Sequence, residues 1–181
     1  MNTYRHLALS LAAALAVFGA AGAAAEESLN ANDLQPAKLA APAVFDGFTI
    51  NATPEKAVTI DAVSPALTAP DGEVFNFRIK LGGSGKAEYR SIKFPAKAGA
   101  EVAVYLNSSS KTDARILKAV DGAGAALAEL TAPPDTGADA GYATFKAGAD
   151  GEVLLFSADG GINIYAIVVR AGLEGRVSRI G

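Results

Sequence analysis

From Glu73 to Phe94 the chain reads EVFNFRIKLGGSGKAEYRSIKF, and the alternation in this stretch decides the fold class. Successive side chains of a strand point to opposite faces. In VFNFRIKL, Phe75, Phe77, Ile79 and Leu81 therefore share one side, and Asn76, Arg78 and Lys80 share the other. In EYRSIKF, Ile92 and Phe94 read as core, which turns Tyr89, Ser91 and Lys93 outward and gives Arg90 the inward parity of a strand-end residue. The intervening GGSGK resembles a phosphate loop only superficially. That motif needs a first Gly where Lys80 stands, a hydroxyl residue where Ala87 stands, and a following helix. With Gly82–Ala87 as a hairpin loop, the two outward sets share one sheet face, and Arg78, Lys80 and Lys93 become near neighbours. Like charges so placed need an anion between them; Asp113, Glu88 or a bound ligand are the candidates.

The same period of two recurs along the chain. Phe45–Ile50, Lys56–Asp61, Glu73–Leu81, Glu88–Phe94, Glu101–Asn107, Ala114–Val120, Gly141–Lys146, Glu152–Ser157 and Ile162–Val169 read as strands. Asp-Gly pairs beginning at Asp46, Asp71, Asp121, Asp150 and Asp159 stand between or beside them as turns. The segment Ala114–Leu130 contains helix formers, but Gly122 and Gly124 interrupt it, and it reads as two strands. About nine short strands without an amphipathic helix predict an all-β, antiparallel, jelly-roll-like sandwich in a single domain.

The predicted domain spans residues 45–170. Before it lie a signal peptide at 1–25 (Arg5 and His6, an apolar run, then Ala23-Ala24-Ala25) and an Ala- and Pro-rich linker or docked arm at 26–44. A polar tail follows at 171–181. The expected location is secreted or periplasmic, with no membrane contact after cleavage. Residues 26–181 contain no His, Cys or Trp. Ser-His-Asp and Cys-His catalysis are thereby excluded, together with the usual zinc ligand sets. No D-x-[DN]-x-[DN] run suggests calcium, so no metal or other cofactor is expected. The segment Phe75–Lys118 carries nine basic and three acidic residues, while the whole chain has a net charge of −3. Such asymmetry suits a binder of anions, although export and a sequence pI near 5.2 disfavour nucleic acid.

The strings RIKLGGSGKAEYRSIKF, VAVYLNSSSKTDARIL and LLFSADGGINIYAIVV occur in the order seen in another group of proteins. Over roughly Phe45–Val169 they resemble the non-catalytic, carbohydrate-binding-type β-sandwich modules of secreted bacterial pectate lyases. The resemblance implies recognition of galacturonate-rich, pectin-type acidic polysaccharide by basic side chains. Carried over by motif, the ligand-binding candidates are Arg78, Lys80, Arg90, Lys93 and Arg115. Tyr89 joins them as an outward ring beside cations. A separate polysaccharide-degrading enzyme is the implied partner. Here Ile79 separates the first two cations, Ala114 precedes Arg115, and Asp159-Gly160-Gly161 replaces a shorter turn.

Two other functions compete with this one. A structural or adhesive envelope domain would direct the same cations at another protein. A small polysaccharide lyase would need Tyr with Lys or Arg as acid and base, but the chain shows no convergent carboxylate pair.

Overall fold

The computed structural model describes residues 26–172, so the signal-peptide segment and most of the polar tail lie outside the described residues. Thirteen strands and one short 3-10 turn make up the described chain. They are β1 (Glu26–Asn30), the turn Ala31–Asp33, β2 (Ala37–Leu39), β3 (Ala43–Phe45), β4 (Phe48–Asn51), β5 (Val58–Thr68) and β6 (Val74–Gly82). After these come β7 (Ser91–Ala96), β8 (Glu101–Ser108), β9 (Arg115–Asp121), β10 (Ala126–Ala132), β11 (Gly141–Lys146), β12 (Gly151–Ser157) and β13 (Gly161–Arg170).

The strands form two antiparallel sheets, one ordered β11-β8-β13-β6-β5-β2 with β1 also on β13, the other ordered β10-β9-β12-β7-β4-β3. The predicted all-β sandwich is the observed fold. Period-two alternation explains the core between the sheets. Val58, Ile60, Ile79, Leu81, Val104 and Ile164 come from the seven-stranded sheet, and Phe48, Ile50, Ile92, Phe94, Leu117 and Leu155 from the other. Phe48 and Phe94 meet at 5.1 Å between ring centroids. Ala114–Leu130 supplies β9 and β10, joined by a turn in which Asp121 Oδ1 accepts the amides of Ala123 and Ala125.

A second apolar cluster lies on the outside of the seven-stranded sheet. Phe75, Tyr105, Tyr165 and Ala166 pack with Leu67 and Ala69, at the end of β5 and in the connection after it, and with Ala140, in the connection before β11. Thr68 ties these connections together: its carbonyl accepts the Ala140 amide at 3.0 Å. Asn107, fully buried, gives its Nδ2 to the Asp139 carbonyl and accepts the Gly141 amide through Oδ1. Phe75 reaches this cluster although Ile79, of the same parity, faces the main core. The alternation reverses beside Asn32, whose Oδ1 accepts the consecutive amides of Asn76 and Phe77 at 2.8 and 3.2 Å, as at a bulge.

The structure corrects three expectations. Phe45–Ile50 is not one strand: Asp46 and Gly47, both at positive φ, turn β3 back onto β4. Of the two readings of residues 26–44, the linker gives way to the docked arm: they hold β1, the 3-10 turn, β2 and the start of β3, with Leu29, Ala31 and Leu34 in the core. Strands of three to five residues, interrupted by Pro36 and Pro42, carry too little alternation to be read locally. More consequential, β6 and β7 do not pair. The segment Gly83–Arg90 is a crossover between sheets, β6 joining β13 and β5 while β7 joins β12 and β4. The crossover is tight: a Cβ at Gly85 would lie 2.3 Å from the Arg90 carbonyl oxygen. Arg90 ends it with φ of 50°, a left-handed conformation few non-glycine residues adopt.

If the arm is part of the domain, Leu29→Ala should lower the unfolding free energy by about 2–3 kcal/mol in urea titration, as for a buried core leucine. A change near zero would return residues 26–44 to the role of linker.

Candidate functional site

Because β6 and β7 belong to different sheets, the expected basic face is divided. Arg78 and Lys80 stand on the outer face of the seven-stranded sheet, and Lys93 stands on the outer face of the six-stranded one. Lys93 Nζ pairs there with Glu152 at 3.0 Å, beside a hollow of about 430 Å³ floored by Val120, Leu154 and Phe156. Tyr89 lies in the crossover, with the Lys56 ammonium 5.9 Å from its ring centroid. Arg115 is a brace: its Nη1 donates to Ser109 Oγ at 2.7 Å and to the Gly161 carbonyl at 2.6 Å. A Cβ at Gly160 would sit 2.5 Å from Arg115 Nε, so the Gly-Gly turn is what lets the guanidinium lie across it.

The remaining candidates share one face with residues the alternation alone did not bring together. Cross-strand register sets Lys38 beside Thr59, Thr59 beside Lys80, Lys80 beside Asn163, and Asn163 beside Asn107. Directly opposed residues have Cβ atoms about 4.5–5.5 Å apart, so this is a continuous polar row across five strands. It descends from exposed Lys38 through half-buried Thr59 and Lys80 to fully buried Asn163 and Asn107. In the adjacent row Arg78 opposes Asp61. Its Nε donates to Asp61 Oδ1 at 2.6 Å and its Nη2 to Oδ2 at 3.4 Å, a two-pronged pair that raises the Arg78 pKa and holds the fork in place.

This ion pair separates two hollows. One, of about 310 Å³, includes Lys38, Lys80, Arg90 and Asp61 in its lining. The Arg90 guanidinium crosses the Gly82-Gly83 backbone here, and its Nε is buried with no hydrogen-bond partner. The other, of about 610 Å³, includes Arg78, Ser109, Lys111, Asp135 and Thr136. Asp135 is held from two sides: the Gly137 amide donates to Oδ1 at 3.1 Å and Asn163 Nδ2 to Oδ2 at 3.3 Å. Asn163 Oδ1 and the Tyr165 hydroxyl are buried without partners. Burial pushes the Tyr165 hydroxyl well above the ordinary tyrosine value, and the Asp135 carboxylate adds to the shift. The Tyr105 hydroxyl is raised likewise, by burial first and then by its hydrogen bond to Asp71.

Among the described residues, no group of His, Cys, Asp and Glu side chains could hold a metal ion. What the outer face offers is hydrogen-bonding capacity of both signs, with cations concentrated at one end.

No protein-family model and no curated protein matches the chain. Solved structures similar to it include the CBM22-1 xylan-binding domain from Paenibacillus barcinonensis. That domain is 14% identical, with 83% of this chain and 97% of that one covered, at a TM-score of 0.48. A family 35 carbohydrate-binding module from Clostridium thermocellum is also 14% identical, covering 77% of this chain and 100% of that one, at 0.45. The third is the M60 catalytic domain with two CBM51 domains from Clostridium perfringens ZmpB. It is 15% identical over 81% of this chain, at 0.45, and the chain spans only 15% of its length. At these identities and scores neither family nor ligand follows.

The two tyrosines give a pH test. The folded state holds both protons more tightly than the unfolded chain, whose tyrosines have the ordinary value of 10.0. Their contribution is therefore complete below pH 10 and is lost as pH rises beyond it. Tyr165→Phe should leave urea stability at pH 7 unchanged or slightly higher, since it removes an unpaired buried hydroxyl. It should also flatten the fall in stability above pH 10. A loss of more than about 1 kcal/mol at pH 7 would show that the hydroxyl has a bonded partner.

Proposed function

We propose that this protein is an exported, non-catalytic domain that binds acidic, galacturonate-type polysaccharide along the outer face of its seven-stranded sheet. One observation carries the reading. Lys38 and Lys80 flank Thr59 on a sheet surface, with the Arg90 guanidinium at the same hollow, and the described ion pairs include none of the three cations. Clustered cations left unpaired cost stability through mutual repulsion, and a carboxylate among them removes that cost. Thr59 and Asn163, between and beside the lysines, add donors and acceptors suited to sugar hydroxyls.

Of the motif-derived candidates, Arg78, Lys80 and Arg90 belong to this surface, and Lys38 joins them. Lys93 and Tyr89 lie elsewhere, and Arg115 is occupied in bracing a turn. The Arg78–Asp61 pair serves as a positioned fork: with its charge already balanced, Arg78 contributes direction more than attraction. Binding dominated by lysines open to solvent on one side should weaken steeply with salt, because charges separated by about 10 Å are largely screened at 0.1 M ionic strength.

Electrophoresis through gels containing polygalacturonate tests the reading. The unaltered chain should be retarded at low salt and released as salt rises. Lys38→Gln with Lys80→Gln should weaken binding about tenfold or more with an unchanged circular dichroism spectrum, while Lys93→Gln should migrate like the unaltered chain. Free migration of the unaltered chain would remove the proposal, and a loss confined to Lys93→Gln would transfer the site to the six-stranded sheet.

A further inference from the structure

The ion pair between Arg78 and Asp61 divides the outer face into two hollows of unequal charge. Asp61 lines the smaller and Arg78 the larger, so the pair forms the wall between them. With that pair neutral, the smaller hollow retains Lys38, Lys80 and Arg90 against Glu55. The larger retains Lys111 against Asp135. The first is cationic, and the second is balanced. Position sharpens the contrast. Lys111 is exposed on the loop after β8, whereas Asp135 is half-buried and fixed by the Gly137 amide and Asn163 Nδ2. A carboxylated sugar entering the second hollow would bring its charge to a held carboxylate, with only an exposed, solvated ammonium to offset it. A sugar bearing hydroxyls alone would meet Asp135 and the Ser109 and Thr136 hydroxyls as hydrogen-bonding partners.

We propose that the polymer held on this face is a mixed one: a carboxylated residue occupies the Lys38–Lys80–Arg90 hollow and an uncharged residue occupies the Asp135 hollow. The inference rests on the saccharide-binding reading above and narrows it, since a chain charged at every residue would be penalised in the second hollow. Asp135 then acts as the residue that selects against continuous charge, and the Arg78–Asp61 wall sets the boundary at which the ligand's charge must stop.

Isothermal titration of the full chain with three defined oligosaccharides of equal length tests this: a homo-oligogalacturonate, an oligomer alternating uronate with a neutral sugar, and a neutral galactan oligomer. At one ionic strength the alternating oligomer should bind at least fivefold more tightly than the homo-oligomer, and the galactan most weakly. Asp135→Asn keeps an oxygen acceptor and removes the charge. It should tighten the homo-oligomer about fivefold and so abolish the preference, whereas Lys80→Gln should weaken both charged oligomers alike. Thermal unfolding of each variant checks that the fold is intact, and the comparison among ligands on the unaltered chain does not depend on any variant. Equal affinity for the two charged oligomers, unmoved by Asp135→Asn, would overturn the mixed-polymer inference and leave acidic-saccharide binding standing. Binding of none of the three would overturn both.

Discussion

Strand β13 is buried on both of its faces, and that constraint organises the molecule. Ile162, Ile164, Ile167 and Val169 enter the core between the sheets, while Asn163 and Tyr165 are covered on the outside. One edge of the strand pairs with β8 along most of its length; β6 and β1 take successive stretches of the other. A strand so enclosed must satisfy each polar atom internally or line a cavity with it. Asn163 meets this demand only in part, its Nδ2 reaching Asp135 and its Oδ1 remaining free. The polar end of the outer face is thus tied to the centre of the fold.

Local alternation made much of this legible. The inward parity of Ile79, Leu81, Ile92 and Phe94 is a property of two neighbouring residue pairs, so the sandwich and its core could be read without knowing which strand joins which. The destination of the chain after Gly82 could not. A loop of this length and composition serves a hairpin and a sheet-to-sheet crossover equally well. The choice is made by pairings far away in sequence: β6 with β13, and β7 with β12. The assembly of Arg78, Lys80 and Lys93 on one surface failed for that reason alone.

The candidate site was legible to a lesser degree. Lys80 and Arg78 were visible as outward cations, but their surroundings depend on register between remote strands. Asp61 becomes the partner of Arg78 because β5 and β6 are aligned that way, and Lys38, on the three-residue β2, joins Lys80 through Thr59. Arg115 shows the opposite case. A cation in a polar, serine-rich setting suggests recognition, yet here Nη1 of the guanidinium is committed to Ser109 and a backbone carbonyl.

The outer aromatic cluster has a spectroscopic consequence. The chain has no tryptophan, so its near-ultraviolet absorption and emission come chiefly from tyrosine. Phe75 contacts Tyr105 and Tyr165, and Tyr142 meets Tyr105 edge-on at 5.0 Å. The main core between the sheets is aliphatic and phenylalanine-rich. Apart from Tyr89 in the crossover, the described tyrosines stand on this one side, so near-ultraviolet dichroism registers chiefly the seating of the covering connections, and the core proper is almost silent in it.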